Sequence, residues 1–352
     1  MSTRLRTWFA LLLLSAAIVS GCRDDGHRQQ ATISAFGTLV EITARDTDTA
    51  RFEQVAAAID REFQAMHRRW HAWEPGLLDD INQAIAEGRS LQLPPEVARL
   101  IEQARRLERA SEGLFNPAIG GLLELWGFHT DEPAEGPPPK AEAIARLVAQ
   151  APSLNDLSID QGRISSRNRA VQLDFGAFVK GHAVEQALAM LAADGIEHAI
   201  VNAGGDVGVL GRRRQGRWRV GIRHPDGRGG RLLAGLEVDS GEFVFTSGNY
   251  LRYRAIDGIR RGHIIDPRSG YPADQVVSVT VIHRRGAEAD AAATALAVAA
   301  AGEWPRLAAA LGVRDVLRVD ADGTVWMTPG MQERIRFVEQ PVRIEIRSLP
   351  DA

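Results

Sequence analysis

The stretch "ATISAFGTLVEITA" (31–44) sets apolar side chains at alternate positions on either side of a Phe-Gly pair, which predicts a strand or a hairpin. The period then lengthens. From Thr49 to about Trp70, Phe52, Val55, Ala56, Ile59, Phe63 and Met66 recur at close to helical spacing, so an amphipathic helix is expected. A second helix is expected from Pro95 to Ser111, with its proline near the first turn. The acidic, proline-rich run "DEPAEGPPPK" (131–140) reads as a surface loop.

From Leu157 onward, short β-type runs alternate with helical ones. "RAVQLDFG" (169–176) reads as a strand entering a turn and "FVKGHAVEQALAMLAADG" (178–195) as a helix ending at Gly195. "EHAIVNAGGD" (197–206) reads as a strand entering a glycine turn. Further strands up to Val281 precede an alanine-rich helix from about Ala287 to Ala301. No repeat of fixed period is present, and helices mixed with hairpin-like strands, without a steady βαβ rhythm, argue for an α+β fold.

The first residues change the picture of where the chain resides. Arg4 and Arg6 precede an apolar run from Trp8 to Val19, about a dozen residues and too short to span a bilayer. The run ends in Val19-Ser20-Gly21-Cys22, which resembles the lipobox of bacterial lipoproteins. The expected organisation is a signal peptide (1–21), a tether (22–30), one folded unit (31–340) and a C-terminal tail (341–352). Cys22 is the only cysteine, so with lipid on it no disulfide can form. The expected product is an exported lipoprotein facing the periplasm or the cell exterior, hung from a membrane without crossing it. With 42 basic and 45 acidic residues the chain carries a formal charge of −3, and it does not read as a nucleic-acid binder.

Four segments could do chemistry. In "NAGGDVGVLG" (202–211) the glycines could bring backbone N–H groups to a phosphate, but the simpler reading is a tight turn. In "EADAAATAL" (288–296), Asp290 and Thr294 stand one helical turn apart, a geometry that suits Mg²⁺; an aspartate near a helix start can equally serve as a cap. "TSGNYLRYRAIDGIRRGHIIDPRSGYP" (246–272) holds all three tyrosines, with His263 two residues into an expected strand and a turn at Asp266–Gly270. "DFGAFVKG" (174–181) keeps Lys180, one of two lysines in the chain, where a compact charge suits a phosphate oxygen.

Together these segments resemble the ApbE family of FAD:protein FMN transferases, from about Phe36 to Thr328. The motifs "FGT" (36–38), "GLFNPAIGGLLELWGF" (113–128), "DFGAFVKG", "VNAGGDV" (201–207), "TSGNY…HIIDPRSG" and "ADAAATAL" (289–296) occur in family order. The resemblance implies an ApbE-like, T-fold-like architecture in two parts with FAD bound in the cleft between them. It implies Mg²⁺ on the side chains of Asp290 and Thr294 and the backbone carbonyl of Ala177. It implies flavin or cofactor contacts at Phe36, Trp73, Leu114, Phe115, Asn116, Asp174, Lys180 and Ile265, with Trp73 stacking on the isoalloxazine ring. Lys180 would act at the phosphates and His263 as the base. FMN would pass to a Thr or Ser of an acceptor flavoprotein, for instance a subunit of a membrane redox complex. An FAD pyrophosphatase and a flavin-binding lipoprotein without chemistry are the alternatives. The chain departs from the family pattern at Asn116-Pro117-Ala118, where Asp-Pro-Thr is common, at Leu251, where Glu is usual, and at "GLLDDIN" (76–82), which replaces the common Ser-Glu.

Overall fold

The computed structural model describes residues 28–350 apart from 131–135, 214–215, 226–229, 251 and 257–258. The expected signal peptide, Cys22, the start of the tether, half of the proline-rich loop and Leu251 therefore lie outside the described residues.

The centre is a sheet of nine strands. In sheet order these are β1 (Arg28–Ala35), β2 (Thr38–Arg45), β6 (His198–Ala203), β7 (Asp206–Leu210), β10 (Phe243–Gly248), β13 (Val276–His283), β14 (Asp315–Asp320), β15 (Thr324–Met327) and β17 (Arg343–Ile346). Neighbours pair antiparallel except β15 with β17. β17 lies inside the stretch read as a tail and extends the sheet at its open edge.

Smaller units surround it: β3 (Leu91–Gln92), β5 (Arg163–Ser166) and β4 (Leu157–Asp160) form one sheet, β16 (Ile335–Phe337), β9 (Leu232–Val238) and β8 (Trp218–Arg223) a second, and β11 (Tyr253–Ile256) with β12 (Ile259–Gly262) a two-stranded ribbon. The helices are α1 (Thr49–Trp70), α2 (Leu77–Glu87), α3 (Pro95–Ala110), α4 (Gly120–Leu125), α5 (Ala141–Ala149), α6 (Val179–Ala193), α7 (Gly286–Val298), α8 (Trp304–Ala310) and α9 (Pro329–Arg334).

Both faces of the central strands are covered, which is why they read as near-continuous apolar runs. Phe243 and Phe245 of β10 point into the larger core with α1, α6 and α7, while Val244 between them joins a second core with β8 and β9. A third cluster (Ile119, Leu122, Trp126, Phe128, Ile144, Ile265) ties α4 and α5 to the turn after β12.

α1 spans the expected residues and buries the expected face, with the Asp48 carboxylate accepting from Arg51 N–H at 3.0 Å as its N-cap. α7 differs from α1 in kind: nearly every side chain is buried, so small residues are required all round, and alanine also favours the helix. α6 and α7 touch backbone to backbone. A Cβ on Gly181 would lie 2.6 Å from the Gly286 carbonyl carbon and 2.9 Å from Ala287 Cα.

One expected strand is absent. "RAVQLDFG" begins and ends in turns and forms only a single bridge between them, Gln172 with Ile119. On one side its backbone meets the segment around Pro117, which has no N–H to donate; on the other, Asn82 takes both the N–H and the C=O of Leu173 with its side chain.

Candidate functional site

Two tight turns bring the first residues together. Phe36-Gly37 closes the β1–β2 hairpin and Gly204-Gly205 the β6–β7 hairpin, all four with positive φ. Because β2 pairs with β6, the tips lie side by side, with Gly204 N–H donating to Leu39 O at 3.2 Å and Thr38 Oγ1 filling the space a Cβ on Gly204 would need. The glycine motif is thus a tight turn. Phe36 is an aromatic residue held in the left-handed region, a strained state that tends to mark functional sites.

The residue after the glycine turn is Asp206. Its Oδ1 accepts from Thr246 N–H at 3.1 Å and its Oδ2 forms an ion pair with Lys180. Lys180 Nζ also lies 3.9 Å from Asp290 Oδ1, and Asp290 Oδ2 accepts from Gly181 N–H at 3.0 Å. Asp290 is therefore no helix cap; it sits one turn inside α7 and reaches across to the start of α6. One turn on, Thr294 Oγ1 hydrogen-bonds Ser247 Oγ at 3.0 Å.

Burial pushes the Asp290 carboxyl up to about 6; Lys180 opposes the shift and Asp206 adds to it. Burial works against the charge on Lys180, but the two carboxylates hold it above the ordinary lysine value. Two carboxylates facing one ammonium leave a net negative charge in a site where Asp290 is 4% exposed. Ala177, three residues ahead of Lys180, lies in the turn that leads into α6.

A wall of rings stands beside this cluster. His129 stacks on Trp73 (centroids 5.2 Å apart, planes at 22°) and its Nε2 meets Asp174 Oδ2 at 3.0 Å. Burial works to raise the Asp174 carboxyl, yet its bond to His129, the charge there and the Gly176 N–H hold it below the usual range. The Arg252 guanidinium lies 5.5 Å from the Trp73 ring and donates to Phe128 O and Thr130 O.

His263 follows β12 directly, its Nδ1 3.2 Å from Arg252 O. Burial, with Arg252 adding to it, pushes its pKa down to about 4, so the ring is neutral at physiological pH. A carbonyl can only accept, so Nδ1 carries the proton and Nε2 the lone pair. Asp174, which holds His129, and Lys180 flank the same turn into α6, which joins the ring wall to the carboxylate cluster along the chain.

Other expected residues are committed elsewhere. Leu114 and Phe115 are core side chains, Phe115 only 2% exposed and 6.1 Å from the Phe178 ring. Asn116 holds Pro152 O and Ala118 N–H, and it borders a cleft of about 580 Å³ whose lining includes neither Lys180 nor Asp290. Ile265 packs in the third cluster. Asp206, Ser247, His129 and Arg252 complete the site without having been singled out. Asp206 and Ser247 stood inside quoted motifs, whereas nothing in local spacing marks His129.

The sequence profile of the ApbE family matches residues 36–317. An FAD:protein FMN transferase from Rhodobacter capsulatus is 46% identical over 321 residues, covering 91% of this chain, which spans 61% of that protein's length. One from Treponema pallidum is 32% identical over 322 residues, 86% of this chain and 88% of that protein. The crystal structure of the ApbE protein from Thermotoga maritima superposes with a TM-score of 0.78 at 28% identity, covering 88% of this chain and 99% of that one. With the profile spanning most of the chain and relatives over 30% identical along nearly its whole length, the chain belongs to the ApbE family.

Proposed function

We propose that this chain is an FAD:protein FMN transferase that moves FMN from FAD onto a threonine or serine hydroxyl of an acceptor flavoprotein and releases AMP. The observation behind this reading is the buried cluster in which Lys180 faces Asp206 and Asp290, with the hydroxyls of Thr294 and Ser247 alongside. All the donors other than Lys180 are oxygens and the cluster retains negative charge, a set that fits a hard divalent cation. Asp290, Thr294 and the Ala177 carbonyl would hold Mg²⁺, which when bound supplies positive charge against the diphosphate of FAD.

The chain's own residues do the rest. Lys180 presents a point charge to a phosphate oxygen, and Trp73 gives the isoalloxazine an aromatic face. His263 Nε2 takes the proton of the acceptor hydroxyl as that oxygen attacks the FMN-side phosphorus. One P–O bond forms on the acceptor and the P–O bond to AMP breaks, its electron pair leaving with AMP.

The same proposal covers placement: export, lipid on Cys22, and a short tether ahead of one transferase unit. Among the described residues no helix is long and apolar enough to cross a membrane.

The test incubates the protein with FAD, Mg²⁺ and a candidate acceptor, then reads the acceptor by intact-mass spectrometry. The expected result is an FMN adduct on a hydroxyl side chain with AMP in solution, and neither from Asp290→Ala. Free FMN and AMP without adduct would mean a pyrophosphatase, and bound FAD with no AMP a binding protein; either rejects the transferase.

A further inference from the structure

We propose that His129, tethered by Asp174, is a positioning residue for the flavin: stacked on the Trp73 indole, it holds that ring in the orientation in which it meets the isoalloxazine. This rests on the transferase reading, in which Trp73 is the stacking partner.

Three observations converge on His129. Its ring lies nearly parallel to the indole, 22° between planes, so it covers one face of Trp73. Its rotation is fixed, because Nε2 is hydrogen-bonded to a carboxylate that also accepts from Gly176 N–H. Its backbone is braced as well, since Arg252 donates to the carbonyls of Phe128 and Thr130 on either side of it while lying 5.5 Å from the same indole. A further ring, His71, meets Trp73 edge-on at 4.5 Å. An indole held by neighbours on this scale has lost its side-chain freedom before the ligand arrives, and such pre-organisation strengthens binding of the ring that stacks on it. The contribution is specific to the flavin half of FAD, because the contacts end on the indole.

The test measures FAD, riboflavin and AMP binding to the whole protein by fluorescence and calorimetric titration, without Mg²⁺. Aromatic pairing is worth enough that His129→Ala should weaken FAD and riboflavin about three- to tenfold. AMP binding should not change. His129→Phe, which keeps the ring, should bind riboflavin within about twofold of the parent, and His129→Asn, which keeps only a polar group, should behave like His129→Ala. Equal riboflavin affinity in the parent and His129→Ala overturns the proposal, as does an equal loss for riboflavin and AMP, which marks a general structural defect. If Trp73→Ala weakens riboflavin while His129→Ala does not, the positioning role falls and the flavin site stands. If the parent binds no FAD even after Mg²⁺ is added, both readings fall.

Discussion

Gly181→Ala tests whether the chemistry depends on the backbone contact between α6 and α7. The added Cβ would sit 2.6 Å from the Gly286 carbonyl carbon, whereas non-bonded carbons settle near 3.5 Å, so the helices must part by about 0.9 Å. Both opposing atoms are backbone, so no side chain can rotate away. The same displacement stretches the 3.0 Å bond from Gly181 N–H to Asp290 and draws Lys180 from the second carboxylate. Overpacking of this kind costs about 1–3 kcal/mol of stability, and a misplacement near 1 Å in reacting groups costs on the order of a hundredfold in rate. The assay is AMP release from FAD in the presence of Mg²⁺ and acceptor, beside urea unfolding to show that the variant is folded. Gly235→Ala is the control: it lies on β9, where an added Cβ meets nothing within 4 Å, and it should turn over as the parent does. A folded Gly181→Ala protein working within threefold of the parent would refute the reasoning.

His263→Ala should slow transfer by about two to four orders of magnitude while FAD binding survives. Because the folded imidazole is held near 4 and the Asp290 carboxyl near 6, a fall in rate through about 6 should shift to lower pH as Mg²⁺ is raised, with the His263 inflection near 4; an inflection near 6.5 that does not respond to Mg²⁺ would mean that the base lies elsewhere. Glu108, 2% exposed and bonded to Leu154 N–H, has its carboxyl pushed up from 4.5 to about 7, chiefly by burial. The native state thus holds a proton that the unfolded chain releases, and the stability this contributes, full below about 4.5, is lost as pH rises through 7. The loss is about 3 kcal/mol and should be absent in Glu108→Gln, as denaturant unfolding across that range would show. Arg318, 1% exposed, donates to the Leu296 and Ala299 carbonyls at the end of α7 and pairs with Asp320 at 2.6 Å. Arg318→Met should cost about 3–5 kcal/mol in unfolding free energy, since it leaves Asp320 and those carbonyls without the cation.

What the sequence by itself determined is what backbone geometry writes locally. The 3.6-residue period placed α1 at its observed ends, alternation left a strand or a hairpin over 31–44, which the structure shows to be a hairpin, and the four-residue spacing of Asp290 and Thr294 set a carboxylate and a hydroxyl on one helix face. Residue type alone did not single out Lys180 or His263; the resemblance to the ApbE family did.

Local pattern misled at "RAVQLDFG", where alternation suggested a strand but the available partners were a proline-containing segment and the side chain of Asn82. Only the tertiary structure decided who meets whom. Lys180 and Asp206 are 26 residues apart, His129 and Asp174 are 45 apart, and Gly181 and Asp290 are 109 apart. Such pairs are set by how sheet order and helix packing bring distant elements together, and no periodicity within any one element encodes that. The same packing turned two ordinary carboxylates and a lysine into a buried, charge-unbalanced cluster, a property of the assembled fold and of none of its segments alone.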